Sequence, residues 1–408
     1  MLLVLAIGHG RVASILSTTS NKIPMSKCTH LLLVFAISVT CTSKPDQANV
    51  GDGRVLLVPT GKLELPLDST TSQHVAIEHF TDKKTGKGYF VCNNSTARRL
   101  LFYDEEKKEL AFVARFADEG PNGVGQMCDF YVHSLDSIFL TRPPVQFILA
   151  DTSGKVKKRY DLRGATNQSA MAFCTVTGQN AIPVKGQNFY FFRWPDGVNR
   201  DWSVLKRPFL GQLDLASGEV AILPAHYPAS YMDHHWSVIH KQAGIVQAPM
   251  GFVLNFPASD SVYAWQGGKT TAHYAASRFI TAPLKPVDKE PNTELEIDRP
   301  IIEQQCYAGL GYDSYRQVYY RIAWHPHDDL SNVGNILRIY AEKTCSIIVL
   351  DKNLNIIGET LLPRDRYFTM CWFIGPKGLY LSDAHPDNPD LNEDVLSYTL
   401  FTLADKAR

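Results

Sequence analysis

The segment 347–358 reads IIVLDKNLNIIG, and it is the clearest indication of the fold. Four apolar residues are followed by Asp351, a short polar stretch and a second apolar run. An Asp at this point accepts hydrogen bonds from the backbone of a tight turn, and Asn or Gly tolerates the left-handed conformation that such turns need. The segment therefore predicts a β-hairpin.

The same succession of strand, polar residue, turn and strand occurs at four other places. These further hairpins cover residues 100–113, 147–156, 211–220 and 261–270. Additional strand pairs precede several hairpins, at 126–133 with 137–141, 306–311 with 317–323, and 368–374 with 378–381. Two hairpins make one four-stranded sheet, and the sheets recur about every 50 to 65 residues. Such a recurrence is typical of a propeller.

We expect residues 54–408 to form a single all-β domain, a six-bladed β-propeller with four-stranded antiparallel blades. Radial stacking of blades buries both faces of each sheet and leaves only short edges. No segment of about 12 residues or more has convincing helical periodicity. Seven blades, or a pair of β-sandwiches, are the alternatives.

Two further expectations follow from a closed ring. A strand at 54–58 or 62–67 is expected to join the last blade at 394–403 and close the ring. Residues 183–207 and the proline-rich stretch 283–300 are expected to be loops that project from one face, where functional residues concentrate.

The composition excludes several classes of protein. With 408 residues, 45% of them hydrophobic and 20% charged, the chain is neither disordered nor a coiled coil. Lys and Arg number 41, and so do Asp and Glu, which leaves no net charge. A nucleic acid is therefore not an expected partner, because its binding needs clustered positive charge.

The N-terminal region predicts export. An apolar run at 31–39 follows Lys22 and Lys27 and precedes Cys41, the order of a secretory signal peptide. We expect residues 1–40 to be an upstream extension and signal peptide, with Met25 as an alternative start. Residues 38–41 resemble a bacterial lipobox, so Cys41 is the predicted lipidation site and 41–53 a lipidated tether. Signal cleavage without lipid is the alternative.

The predicted location is the cell envelope, with the chain lipid-anchored to the outer membrane and facing the periplasm or the surface. Two acyl chains or more are needed for stable anchoring. Six cysteines follow Cys41 without any CxxC pair, and several lie in apolar, strand-like runs. Buried free thiols are expected for most of them, with disulfide pairing of some as the alternative.

These features resemble one family. Besides Cys41, the similarity is carried by the segments 119–125, 130–140, 312–321 and 347–357. They are similar to the DUF4221 family, six-bladed propeller lipoproteins of unknown function from Bacteroidetes. The resemblance implies the propeller scaffold and the lipid anchor, and it brings no catalytic residues to carry over.

Aromatic and arginine side chains are the first candidate site. Rings with polar rims suit sugars and peptides, and Tyr, Trp and Arg are frequent at binding hot spots. The predicted ligand-binding residues are Trp194, Trp202, Tyr231, Trp236, Tyr315 and Arg321. The alternative is that they pack between blades.

Histidines are the second candidate site. Imidazoles near carboxylates can bind transition metals, and blades can bring separate histidines together around the axis. The candidate metal ligands are His234, His235, His325, His327 and His385. Polar loops or buried single histidines are the alternative. No cofactor is expected, and a divalent metal ion is the alternative.

The sequence therefore predicts a cell-envelope lipoprotein that binds a ligand or partner on one ring face and lacks catalysis of its own. The partners expected are the membrane, through the N-terminal lipid, and a glycan, a peptide or an envelope protein. The alternative function is a channel-mouth enzyme, a metal-assisted hydrolase or lyase acting on a glycan or lactone-like substrate.

Overall fold

Short strands joined by tight turns make up most of the computed structural model. It describes residues 53–142, 146–162, 184–192, 205–237, 239–282, 284–289 and 293–406. The first strand is β1 (Val55–Pro66), which joins the last sheet of the chain.

Four separate antiparallel sheets of four strands follow, each with its strands in chain order. Sheet 1 contains β2 (Ile77–Thr81), β3 (Gly88–Asn94), β4 (Arg99–Asp104) and β5 (Leu110–Arg115). Sheet 2 contains β6 (Phe130–Ser134), β7 (Ser137–Arg142), β8 (Gln146–Ala150) and β9 (Val156–Asp161). Sheet 3 contains β10 (Val184–Lys185), β11 (Asn188–Phe192), β12 (Leu210–Asp214) and β13 (Val220–Leu223). Sheet 4 contains β14 (Gly244–Ala248), β15 (Gly251–Asn255), β16 (Ser261–Gln266) and β17 (Lys269–Tyr274).

The remaining strands form one sheet of eight. Its first half, called sheet 5, contains β18 (Cys306–Asp313), β19 (Val318–Trp324), β20 (Cys345–Leu350) and β21 (Ile356–Leu361). Its second half, called sheet 6, contains β22 (Phe368–Gly375), β23 (Gly378–Ser382), β24 (Val395–Asp405) and β1. All five predicted hairpins are present, with strands close to the expected bounds.

The N-terminal strand closes the ring, as predicted. β1 runs antiparallel to β24 from Val55, opposite Asp405, to Pro66, opposite Val395. It also touches β21 in parallel at Gly358, and the Leu57 backbone N donates to Thr360 Oγ1 at 2.8 Å. The first and last parts of the domain are therefore held together by a ladder of backbone hydrogen bonds.

The sheets pack on each other as propeller blades do. Strand β22 contacts β2, and β18 contacts both β14 and β22, so the first strands of these sheets meet. Between sheets 6 and 1, the ring centroid of Phe90 lies 5.7 Å from that of Phe373. Apolar side chains thus fill the space between these two sheets. The propeller is confirmed and the sandwich alternative is wrong; the count of six blades stays a prediction, which the six four-stranded units support.

The hairpin turns follow the chemistry that the sequence suggested. Asp351 Oδ1 accepts the backbone N–H groups of Asn353 and Asn355, each at 2.9 Å. Asp214 Oδ1 does the same for Ala216 at 2.9 Å and Ser217 at 2.7 Å. In the first of these turns Leu354 has a φ of 67°, in the left-handed region. The aspartates therefore fix the turns as predicted.

Because successive strands are antiparallel, their connections alternate between two faces of the ring. Connections from the first to the second strand of a sheet, and from the third to the fourth, lie on what we call the turn face. Connections from the second to the third strand, and from each sheet to the next, lie on the loop face. Most of the described loop-face connections are longer, among them 325–344 and 383–394.

Two α-helices lie in loop-face connections of the described chain and were not predicted, and the connection from β13 to β14 contains two short 3-10 helices, Ala229–Tyr231 and Ile239–Lys241. The α-helices are α1 (Glu294–Glu303) and α2 (Ile336–Ala341). The expectation that 283–300 is entirely loop is therefore wrong at its C-terminal end, and the expectation of a loop at 183–207 is wrong at 184–192, which contains β10 and β11. Thr293 caps α1 and, with Glu296, forms a capping box. The sequence Thr-Glu-Leu-Glu is typical of such a box, but α1 has 10 residues, too few to show a clear helical periodicity.

The described residues contain no helix long and apolar enough to cross a membrane. They contain five free cysteines: Cys92, Cys306 and Cys345 are buried, and Cys128 and Cys371 are partly buried. For these five, the prediction of free thiols in or near the core is confirmed. Cys41 and Cys174 lie outside the described residues.

Candidate functional site

The loop face carries all five candidate metal ligands. His234 and His235 lie in the connection from β13 to β14, and His325 and His327 in that from β19 to β20. His385 lies in the connection from β23 to β24. The sheet topology thus places them on the same face, but the structure does not gather them in one site.

Within the described chain, one group of three metal-binding side chains is close enough to share an ion. It consists of Asp365, His385 and Asp387, whose ligand atoms all lie within 4.8 Å of one another. His385 is the one predicted ligand that it includes. Carboxylate oxygens and an imidazole nitrogen suit a divalent cation.

The His385 ring is already hydrogen-bonded on both sides. It is 1% exposed, and Nε2 lies 3.0 Å from the Ala341 carbonyl oxygen, to which it donates. Its Nδ1 accepts the backbone N–H of Asp387 at 3.1 Å. The Asp387 carboxylate in turn pairs with Arg338 at 2.6 Å. A cation here would have to displace the contact at Nδ1 and compete with the Arg338 guanidinium.

A polar cleft borders this group where sheets 5 and 6 meet on the loop face. Its walls come from the end of α2 and the start of β20, from the connection between β21 and β22, and from the loop after β23. The lining residues are Ala341, Glu342, Lys343, Cys345, Leu362, Pro363, Arg364, Asp365, Tyr367, Thr369 and His385. Charged groups of both signs thus lie beside a buried thiol and an aromatic ring.

The wall of the cleft at Thr369 is shaped by an irregular strand. The pairing of β22 with β23 shifts register between Phe368 and Trp372. Thr369 lies in the shifted segment and accepts the indole N–H of Trp324 at 2.8 Å. Irregular pairing of this kind is frequent beside functional sites, because it changes the direction of side chains.

Lys343 ties the cleft to the end of α1. Its Nζ donates to the carbonyl oxygens of Ile302 and Gln304, each at 2.7 Å. Burial disfavours the ammonium form and lowers the pKa of Lys343 to about 7. The side chain therefore caps free carbonyls at the end of the helix, a structural role.

A buried polar network lies between sheets 4 and 5. Ser346 Oγ and Ser277 Oγ donate to Glu359 Oε1 at 2.7 and 2.5 Å. The Nε2 atom of His325 lies 2.9 Å from Ser346 Oγ, and because that hydroxyl donates its proton to Glu359, the ring is the donor. Burial, with a smaller contribution from Lys343, lowers the pKa of His325 to about 4.

Serine, histidine and carboxylate are the residue types of a hydrolytic triad, but the order here differs. In a triad the histidine lies between the other two and removes the serine proton. Here the carboxylate binds the serine directly, and Ser346 and Glu359 are both buried. The network therefore joins two sheets and offers no accessible nucleophile. The sequence did not reveal it, because its members are far apart in the chain.

Three of the predicted ligand-binding residues are buried, so the expectation of exposed contact surfaces is wrong for them. Tyr231 and Trp236 pack in the core beside sheets 3 and 4, where Trp236 Nε1 donates to the Tyr231 carbonyl oxygen at 3.2 Å. Arg321 is fully buried between sheets 4 and 5. Their aromatic and cationic surfaces are used in packing, the alternative stated above.

Tyr315 is accessible but lies on the other face. It is 55% exposed and belongs to the turn between β18 and β19, on the turn face. It therefore cannot share a site with the loop-face histidines. Trp194 and Trp202 lie outside the described residues.

Comparison with known proteins places the chain in a family. The model of the family described as a domain of unknown function, DUF4221, matches residues 64–361. The chain belongs to the DUF4221 family. No curated protein matches the sequence significantly.

Solved structures agree on the fold. A DUF4221 member from Bacteroides vulgatus is similar at a TM-score of 0.70 and 23% identity, covering 87% of this chain and 99% of that one. A protein named as a candidate exported protein from Bacteroides fragilis is similar at a TM-score of 0.52 and 10% identity, covering 88% and 98%. At these identities the similarity extends to the fold alone.

Proposed function

We propose that this DUF4221 protein is an exported binding module of the cell envelope, without catalysis of its own, that binds a ligand or partner in the loop-face cleft. The observation that carries the proposal is the cleft between sheets 5 and 6. It is a small depression with room for about one water molecule, and polar groups from three connections converge on it, so a ligand would rest on its rim and not enter it.

The groups around the cleft suit a polar ligand. Arg364 Nε donates to Thr344 Oγ1 at 3.0 Å, which orients the guanidinium. Asp365 is exposed beside it, and Tyr367 adds a partly buried ring. A cation, an anion and an aromatic edge can together recognise a glycan, a peptide or a polar segment of an envelope protein.

The absence of catalysis is supported by the state of the reactive groups near the cleft. Burial raises the pKa of the Cys345 thiol, which therefore stays protonated. Both ring nitrogens of His385 are hydrogen-bonded, and Ser346 is buried beneath His325. None of these groups is an activated nucleophile or a free base.

The envelope location rests on the N-terminal sequence. The signal-like run before Cys41 and the lipobox-like residues 38–41 support export and acylation, with 41–53 as the tether to the outer membrane. The structural relative named as a candidate exported protein agrees with export. Intact-mass analysis from a native host should show Cys41 acylated at the new N-terminus, and an unmodified Cys41 would contradict the anchor.

The binding proposal is tested by a ligand screen with paired variants. Soluble envelope oligosaccharides and short peptides are screened by thermal shift, and hits are titrated by calorimetry. Arg364→Ala or Asp365→Asn should weaken binding about tenfold or more, since each removes a charged contact. Tyr315→Ala, on the turn face, should leave it unchanged. A hit that depends on Tyr315 and not on the cleft would contradict the proposal.

A second candidate function is a metal-assisted hydrolase or lyase at the same face. It is favoured by the Asp365, His385 and Asp387 group, with ligand atoms within 4.8 Å. Purified protein equilibrated with Zn²⁺ or Ca²⁺ and desalted should then retain one ion, lost in His385→Ala and kept in His226→Ala. Turnover of a lactone or glycoside that follows the metal would establish the enzyme. Metal-free protein without turnover would favour the binding module.

A further inference from the structure

The loop after β23 is tied to helix α2 by two contacts beside the cleft. His385 Nε2 donates to the Ala341 carbonyl oxygen, at the end of α2, at 3.0 Å. Arg338 Nη1, also in α2, donates to Asp387 Oδ2 at 2.6 Å. Both contacts involve members of the group formed by Asp365, His385 and Asp387, which we call the metal group. The occupancy of this group therefore affects how the loop is held to the helix.

The first contact orients His385 as a metal ligand. Because Nε2 carries the proton, the lone pair of the ring is on Nδ1, where it accepts the Asp387 backbone N–H at 3.1 Å. A histidine that binds a metal ion usually donates its other N–H to a carbonyl or carboxylate, which fixes the ring. Here the Ala341 carbonyl has this role. One imidazole and two carboxylates then give three protein ligands, the number found in zinc sites that keep an open position.

The second contact places a positive charge of the chain beside the same group. Arg338 Nη1 lies 2.6 Å from Asp387 Oδ2 and 3.7 Å from Glu342 Oε1, one helical turn further along the chain. The three side chains are 28% to 44% exposed, so neither ion pair is held strongly. The guanidinium therefore has a second acceptor within reach when it leaves Asp387.

We propose that Arg338 is an internal cation that competes for the metal group, and that a divalent metal ion displaces it from Asp387 onto Glu342. Two cations on one carboxylate repel each other. The metal ion has the higher charge and also gains the His385 imidazole, whereas Arg338 keeps an acidic partner. Asp387 is exposed, so the N–H that it now donates to the ring can turn to water.

The exchange also changes the cleft. Glu342 is one of the residues that line it, so the arrival of Arg338 neutralises a negative charge at the rim. The inference rests on the metal group of the second candidate function, and it requires neither turnover nor a ligand in the cleft.

Titration of the purified protein with Zn²⁺, followed by calorimetry, tests the competition. Arg338→Gln removes the guanidinium and should bind one Zn²⁺ about tenfold more tightly than the wild type, or more. Arg366→Gln is the matched control, because Arg366 pairs with Asp390 in the same loop and not with the metal group. Its affinity should equal the wild-type value. His385→Ala should abolish binding in both the wild type and Arg338→Gln.

A second pair of variants keeps the test decisive if Arg338→Gln fails to fold. Glu342→Gln removes the acceptor to which Arg338 moves, so the affinity for Zn²⁺ should fall about threefold or more. Asp390→Asn removes an acid that pairs with Arg366, and its affinity should remain that of the wild type.

The proposal is overturned if Arg338→Gln binds Zn²⁺ no more tightly than the wild type, or if neither protein binds it. Binding by Arg338→Gln that survives His385→Ala, or equal affinities of Glu342→Gln and Asp390→Asn, would also overturn it. Because the titration uses Zn²⁺ alone, its failure leaves the proposed binding of a glycan or peptide standing, and a failed ligand screen leaves the competition standing.

Discussion

The guanidinium carbon of Arg321 lies 3.7 Å from the centre of the Tyr307 ring, and both residues belong to sheet 5. The same guanidinium crosses to sheet 4, donating to Asn255 Oδ1 at 2.9 Å and to the Ala275 carbonyl oxygen at 2.7 Å. It also donates to the Ser259 carbonyl oxygen at 2.6 Å. Burial lowers the pKa of Arg321 to about 10, so it remains charged at neutral pH.

We expect Arg321→Met to destabilise the domain strongly. The substitution keeps much of the volume but leaves three buried acceptors on sheet 4 without their donor. The loss should be about 3 kcal/mol in the free energy of unfolding. Urea unfolding measures it, with Arg115→Ala as the exposed control on β5. Equal midpoints for Arg321→Met and the wild type would show that the crossing contacts are energetically neutral.

Glycines in β18 make room for a tryptophan of sheet 6. A Cβ atom at Gly311 would lie 2.8 Å from ring carbons of Trp372 and from Ile374 Cδ1. We expect Gly311→Ala to cost about 1–3 kcal/mol, the range for overpacking a core. Gly61→Ala is the control, since its Cβ would have 3.8 Å to the nearest side chain. Thermal unfolding should separate the two, and identical melting temperatures would rule out tight packing at Gly311.

The buried His325 predicts a loss of stability in acid. Its pKa is lowered to about 4, so between that value and about 6.5 the unfolded chain binds a proton that the folded chain does not. Stability should therefore decrease as the pH is lowered from about 6.5 to about 4, and this group should contribute roughly 2–3 kcal/mol to the decrease. His325→Gln can keep the hydrogen bond to Ser346, and its stability should depend less on pH. His226→Gln, which is exposed, should retain the wild-type slope; parallel curves for all three proteins would contradict the assignment.

The turn that indicated the fold can be tested in the same way. Asp351→Ala removes the acceptor for Asn353 and Asn355, and we expect a loss of about 1 kcal/mol. Asp351→Asn retains a side-chain oxygen that can accept the same hydrogen bonds, so its stability should be close to that of the wild type. Chemical unfolding of the two variants measures the difference. Equal stability of Asp351→Ala and wild type would mean that the strands alone fix this hairpin.

The strands and turns could be predicted because their signals are local. Asp351 and Asp214 lie within their own hairpins, and the apolar runs beside them show the strands directly. Ring closure by β1 was also predictable, since one strand at each end remained without a partner. The family resemblance agreed with these local patterns, and the family match confirms it.

The site residues could not be predicted equally well, because their positions depend on how distant loops pack. Tyr231 and Trp236 looked like an exposed platform but fill a gap beside sheets 3 and 4. Asp365 gave no signal, yet it lies beside His385 through the meeting of two sheets. Glu78 likewise gave no signal in the sequence, yet its carboxyl accepts the Val132 backbone N–H of the next sheet.

Differential hydrogen exchange with and without a bound ligand tests most directly whether the loop face is the binding face. With a hit from the oligosaccharide or peptide screen, we predict protection in peptides covering 341–345, 362–367 and 383–388, around the cleft. Turn-face peptides covering 105–109, 314–317 and 351–355 should exchange as in the free protein. Protection confined to the turn-face peptides would contradict the account and move the functional site to the opposite side of the ring.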